Sequence, residues 1–152
     1  DLDLDTGSGD VDVRNCRSGR ARIDTGSGRV EVSGMDCGSL AVDTGSGDVL
    51  VTGLAADEAD FDTGSGEVRV DLDRMGDGRF RVDTGSGGVE LRLPADASAK
   101  ILADTGSGEV ASDVPGAAFE KLPDDRHRLV VGDGAADVSL DTGSGSIVVG
   151  RR

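Results

Sequence analysis

Tryptophan and tyrosine are absent from this chain, phenylalanine occurs three times and histidine once, as His127. That excludes a wide core filled by rings, and it excludes the aromatic platforms on which carbohydrate hydrolases hold sugars. Any interior must be thin and filled by valine, leucine and isoleucine. One histidine and two cysteines, Cys16 and Cys37, are too few for a zinc site or a Cys–His catalytic pair. Lysine is scarce, with only Lys100 and Lys121, and acidic residues outnumber basic ones 30 to 16, a net charge of −14. This balance lacks the basic stripe of a nucleic-acid binder and opposes anionic lipid. No apolar run approaches the ~20 residues of a membrane-crossing helix, so no span is expected. No signal-peptide pattern precedes the first repeat; the chain begins inside it, as a mature or trimmed product would. Phosphate-binding loops and dinucleotide fingerprints are also missing, because no helix pattern follows any glycine-rich turn.

What the chain has in abundance is glycine, 25 residues among 152, and most of it sits in one motif. Asp-Thr-Gly-Ser-Gly begins at Asp5, Asp24, Asp43, Asp62, Asp83, Asp104 and Asp141, at spacings of 19, 19, 19, 21, 21 and 37. Self-similarity near 20 residues marks a solenoid, and the last spacing is close to two periods. The flanks name the secondary structure. Positions three and one before each motif, and two and four after its last glycine, are apolar in 27 of 28 cases. Residues between them are mostly charged or small. Such period-two alternation predicts half-buried strands and no helix.

Parity predicts a corner. Leu2 and Leu4 precede the first motif on even numbers, while Val11 and Val13 follow it on odd ones. A bend inside the motif must reverse the phase. The glycine pairs Gly7 and Gly9, Gly26 and Gly28, Gly45 and Gly47, Gly64 and Gly66, Gly85 and Gly87, Gly106 and Gly108, and Gly143 and Gly145 are expected to supply its unusual backbone angles. Cys16, Met35 and Leu54 recur 19 apart and should stack as a second apolar column. The prediction is a single all-β domain over 1–152, a single-stranded β-helix with coils of 19–21 residues and about eight rungs. Regular coils occupy 1–111. An irregular rung or hairpin occupies 112–134, which holds Pro115, Pro123 and the run Pro123-Asp124-Asp125-Arg126-His127, and a final coil occupies 135–152. The competing architecture is a prism or propeller of antiparallel hairpins.

Several chemical readings attach to the motif. Leu4-Asp5-Thr6-Gly7-Ser8 and Phe61-Asp62-Thr63-Gly64-Ser65 match the catalytic loop of aspartic proteases. Such catalysis needs two carboxylates in one cleft, whereas seven copies at solenoid spacing make a stripe. The column Asp5, Asp24, Asp43, Asp62, Asp83, Asp104 and Asp141 either caps turn N–H groups or forms a calcium ladder. No other cofactor is expected. The column Thr6, Thr25, Thr44, Thr63, Thr84, Thr105 and Thr142 could order ice-like water if it lay on a flat face. Cys16 and Cys37, offset by two residues on adjacent rungs, are candidates for a disulfide or for buried free thiols.

The repeats Val42-Asp43-Thr44-Gly45-Ser46-Gly47-Asp48-Val49, the turn Gly132-Asp133-Gly134 and the closing Asp141-Thr142-Gly143-Ser144-Gly145-Ser146-Ile147 resemble those of bacterial adhesin-like families of β-strand-repeat domains. The resemblance spans nearly the whole chain. It implies a right-handed β-helix, export to the envelope or beyond, and no established catalytic residues. The expected function is a non-enzymatic structural or adhesin-like scaffold on a bacterial or archaeal surface, with an extracellular polymer as ligand. A second expectation is a filament subunit. No end caps are evident, the first rung is acidic (Asp1, Asp3, Asp5, Asp10 and Asp12) and the chain closes on Arg151-Arg152, so head-to-tail self-association would join opposite charges.

Overall fold

One coil shows how the sequence turns. In the strand Val30–Ser46, the buried residues are Val30 and Val32, then Met35 and Cys37, then Leu40, Val42 and Thr44. Their parity changes twice within the strand and once more before Val49 and Val51, so each coil has three inward-facing stretches joined by three corners. One corner falls at Gly34, whose φ of 67° is repeated at Gly53 (66°) and at Asn15 (50°) in the same column. Asparagine is the non-glycine residue best suited to that left-handed conformation. The corner after the motif falls at its second glycine, with φ of 131° at Gly47.

The computed structural model describes residues 1–114, 117–123 and 126–151. Pro115, Asp124, Asp125 and Arg152 lie outside the described residues. The chain forms thirteen strands: β1 (Leu2–Thr6), β2 (Val11–Ser27), β3 (Val30–Ser46), β4 (Val49–Thr63), β5 (Val68–Met75), β6 (Arg79–Thr84), β7 (Val89–Leu93), β8 (Ala99–Ser107), β9 (Val110–Ser112), β10 (Ala118–Lys121), β11 (His127–Val131), β12 (Ala136–Ser144) and β13 (Ile147–Arg151). No helix occurs among the described residues. The first four strands stack in parallel with each residue opposite its counterpart 19 positions on: Leu4 faces Ile23, Ile23 faces Val42, and Val42 faces Phe61. Parallel pairing of successive repeats is the geometry of a β-solenoid and excludes the hairpin prism or propeller. The core is a narrow continuous column in which Ile23, Val30, Leu54, Leu72, Leu93, Ile101 and Ile147 are fully buried. Cys16, Met35 and Leu54 stack within it, as their spacing predicts, and Leu72 continues the column across a register shift.

The C-terminal third departs from sequence order. β4 pairs with β6, β6 pairs next with β12, and only β12 pairs with β8. On the adjoining side β7 pairs with β13, which pairs with β9. Read along the rod, the motifs therefore follow the order Asp5, Asp24, Asp43, Asp62, Asp83, Asp141, Asp104. A turn at Pro94–Ala97, closed by the Ala97 N–H donating to the Pro94 carbonyl at 3.1 Å, carries the chain past one rung level. The last coil then returns to fill the vacant level between its two neighbours. It fits because it repeats the motif: Thr142 meets Thr84 on one side and Thr105 on the other.

This arrangement corrects four expectations. The motifs make seven rungs rather than about eight. The coil at 135–152 is an interior rung and not the far end. β10 (Ala118–Lys121) and β11 (His127–Val131) form an antiparallel hairpin, and β11 pairs antiparallel with β8, so the β8 side of the outermost rung is covered, while β9 on its adjoining side ends the sheet. That is a cap where none was expected, and it suits a sheet whose bare edge would otherwise recruit foreign strands. Finally, Arg151 belongs to an interior rung, its exposed side chain donating to the Ala95 carbonyl at 3.0 Å, and does not stand at the rod end where the proposed charge match needs it.

Candidate functional site

The motif edge is built by opposed side chains. Its threonines turn inward: Thr25, Thr44, Thr63, Thr84 and Thr142 are each 1% exposed. Each hydroxyl serves carbonyls rather than solvent. Thr44 Oγ1 donates to the Ser46 carbonyl at 3.0 Å and lies 3.4 Å from the Gly28 carbonyl of the rung below, and Thr63 repeats this with Ser65 and Gly47. A threonine face for ordering ice is thereby overturned, because the column is interior. The two glycines also divide their labour. Only the second has a positive φ, so the shared role predicted for both is corrected. The first is needed because the rungs touch: a Cβ on Gly45 would lie 2.5 Å from the Gly26 carbonyl oxygen.

The motif aspartates stand outward on the opposite pleat, each in register with the next. Backbone capping falls to the residue after the motif. Asp10 Oδ1 accepts the Arg29 N–H and Asp48 Oδ1 the Glu67 N–H, each at 2.9 Å and each one rung away. Two motif carboxylates are balanced by arginines on their own strands, Asp24 by Arg22 at 3.7 Å and Asp83 by Arg81 at 3.4 Å. Partial burial, reinforced by the neighbouring Asp43 and Asp83, holds the Asp62 carboxyl above the usual range. Burial and the adjacent Asp83 and Asp104 do the same to Asp141. The column sets one motif carboxylate on each rung. Among the described residues no cluster of three or more His, Cys, Asp or Glu side chains could hold a metal ion. The two protease-like strings do not meet either, since Asp5 and Asp62 lie three rungs apart.

Cys16 and Cys37 carry free thiols. Cys16 is level with Met35 and Cys37 with Ser18, a stagger of two positions. Burial first, then the neighbouring Asp36, pushes the Cys37 thiol up to about 11, so it is a poor nucleophile near neutral pH.

A different place on the rod gathers unlike groups. The tip of the hairpin, closed by the Leu122 N–H donating to the Arg126 carbonyl at 2.7 Å, stands against the outer face of β6, β12 and β8. Between them lies a cleft of about 470 Å3. Register brings its walls together: Arg79, Asp137 and Lys100 stand side by side on β6, β12 and β8, and Ser139, Leu102 and Arg128 form the next row. Among the described residues, Arg79, Lys100, Arg126 and Arg128 line it together with Asp137, and Leu102 and Leu122 supply apolar surface. Arg128 also pairs with Glu120 across the hairpin. Sequence reasoning missed this set because its members are scattered from 79 to 139 and converge only through the inserted coil. The sole available signal was the scarcity of lysine, which made Lys100 unusual.

A family model described as Toastrack DUF4097 matches residues 1–150, and the chain belongs to that family of β-solenoid repeat domains. No curated protein and no solved structure matches it.

Proposed function

We propose that this Toastrack-family chain is a non-enzymatic scaffold with an adhesin-like role, held outside the cell or in the envelope of a bacterium or archaeon. One observation carries the reading. The threonine and glycines of the motif, kept in all seven copies, are consumed in rung-to-rung contact, each buried hydroxyl bonded to carbonyls of its own coil and the one below. This inward part of the motif therefore serves length and rigidity, while the outward aspartate is kept on every rung and the other outward side chains vary. An acidic, narrow rod suits display against an extracellular polymer, and its net charge of −14 keeps copies apart.

The test is twofold. Intact producing cells treated with external protease should lose the protein, while a cytosolic marker survives. Protein confined with the marker would overturn the location. For the role, purified protein should coat its producer's polysaccharide or a host surface without turning over substrate. A catalytic turnover abolished by one outward substitution in a folded variant would overturn the scaffold reading.

A further inference from the structure

We propose that two copies of this chain pair side by side and antiparallel, through the outer face formed by β1, the pre-motif ends of β2, β3 and β4, and β6. This goes beyond the scaffold reading and stands independently of it. Register fixes two outward rows on that face. In the first, Asp3 is level with Arg22, Arg22 with Ala41, Ala41 with Asp60, and Asp60 with Arg81. Two residues earlier on each strand, the second row runs Asp1, Arg20, Ser39, Glu58 and Arg79. Both rows therefore read acidic, basic, small, acidic, basic along the first five rungs. The order is antisymmetric about the third rung: the second and fourth are opposite in charge, and so are the first and fifth.

A two-fold axis laid along the third strand makes this face its own complement. Turning a second copy about that axis sets its Arg20 over Glu58 of the first copy, its Arg22 over Asp60, its Arg79 over Asp1 and its Arg81 over Asp3. Each contact occurs twice. On the axis only Ser39 and Ala41 meet their counterparts, and there the surface is hollow. A trough of about 470 Å3 is floored by these two residues, with Arg20, Arg22, Glu58, Asp60, Arg79 and Arg81 standing around it. The hollow gives the arginine stems of both copies room to cross.

The charged groups are free to do so. All six side chains around the trough are exposed. Arg22 and Arg81 have long pairs on their own strands, 3.7 Å to Asp24 and 3.4 Å to Asp83, and Arg20, Glu58, Asp60 and Arg79 form no ion pair among the described residues. A net charge of −14 keeps copies apart in other orientations, so the face selects one approach. An axis along the rod, for example, would set Arg20 over Arg22. The motif aspartates, alike on every rung, bound the patch on one side. Its length is four rung spacings of about 4.8 Å, which makes a small interface and a weak dimer.

The experiment is sedimentation velocity of the full chain from about 10 μM to about 1 mM, at about 0.15 M salt, where a Debye length of about 8 Å screens distant charge and leaves facing pairs. The wild-type chain should pass from monomer to dimer. Arg20→Glu and Glu58→Arg should each remain folded and weaken self-association by about tenfold or more, since each sets like charges face to face at two places. An equimolar mixture of the two variants should dimerise again, because every facing contact in the mixed pair is opposite in sign. Arg29→Glu, the same change in charge beyond the motif corner, should leave association unaltered. Should either variant fail to fold, Arg22→Glu and Asp60→Arg make the equivalent pair. A chain monomeric throughout, a mixture no better than its components, growth past the dimer, or equal loss from Arg29→Glu would each overturn the proposal.

Discussion

The first four strands and the last eight are built from the same repeat to different ends. From β1 to β4, neighbours in sequence are neighbours in space, and the motif residues and the valines after them rest on their own kind: Thr6 on Thr25, Asp24 on Asp43, Val30 on Val49. From β6 to β13 the order is permuted, and unlike residues are brought level, such as Arg79 with Asp137 and Lys100, or Leu102 with Arg128. Strict repetition gives a stack that any coil could join. Broken repetition gives a place unlike any other on the rod, and the cleft is there.

The comparison can be broken most severely by deletion. Removing 30–48, one complete 19-residue coil, should leave a shorter rod that still melts cooperatively, since Arg29 followed by Val49 restores the register. Removing 135–151 should abolish cooperative folding of residues 79–131. It leaves β6 and β8 two rung spacings apart, about 9.6 Å, with no hydrogen-bond partner between them. Circular dichroism melts and hydrogen exchange distinguish these outcomes, and equal damage from both deletions would refute the contrast.

Next in size are glycine substitutions. Gly47→Ala forces an L side chain to φ 131° and into the Gly28 carbonyl, and should cost more than Gly45→Ala, which meets only the carbonyl of Gly26. Gly45→Ala should itself destabilise by about 1–3 kcal/mol, as overpacking does. Gly7→Ala should be close to neutral, because on the first rung nothing lies within 4 Å of the added carbon. Denaturant titration of the three variants tests the ordering. Thr44→Val, which removes the buried hydroxyl, should cost about 1 kcal/mol, and Thr6→Val less, since Thr6 is half-exposed and bonds only the Ser8 carbonyl.

The smallest effect concerns charge. Asp62 and Asp141 have carboxyls raised in the folded state, so the native protein holds more protons than the unfolded chain just above the ordinary carboxylate range. Stability falls as pH rises through that window, and the ionised groups are a burden at neutral pH. Asp62→Asn should therefore raise the melting temperature at pH 7, and the gain should shrink in acid as the native aspartate protonates. A gain independent of pH would show that the carboxylate's charge is not the cause.

Much of this architecture was legible in residue order alone. The spacing of 19, the apolar positions around each motif and the reversal of parity at the corner required parallel stacked strands, because only that arrangement buries Val11, Val30 and Val49 in one column. Three features were hidden. The threonine points inward because the chain stays extended through Thr25, Gly26 and Ser27 and turns only at the second glycine, Gly28, a choice between the two glycines that the motif does not reveal. Asp10 and Asp48 cap the neighbouring rung through hydrogen bonds to N–H groups 19 residues away, which no local turn pattern encodes. The permuted rung order was foreshadowed only by the 37-residue gap, which one lost repeat explains equally well. Repeats compatible with any neighbour carry no information about which neighbour they take, so the cleft assembled by that order was illegible too.

The inserted final coil acts as a keystone. Rungs one to five can be laid down as the chain emerges, but the rung of Asp104 has only the hairpin strand β11 beside it, and no rung beneath it, until residues 136–151 arrive. Completion is therefore non-vectorial, the last segment made closing a breach in the middle of the wall. Until that moment two raw strand edges face each other across a space shaped for this peptide, and the same stretch from a second molecule would match it residue for residue. Crowding during synthesis thus sets intramolecular closure against strand exchange between chains, and the short tether from Gly134 to Ala136 favours closure.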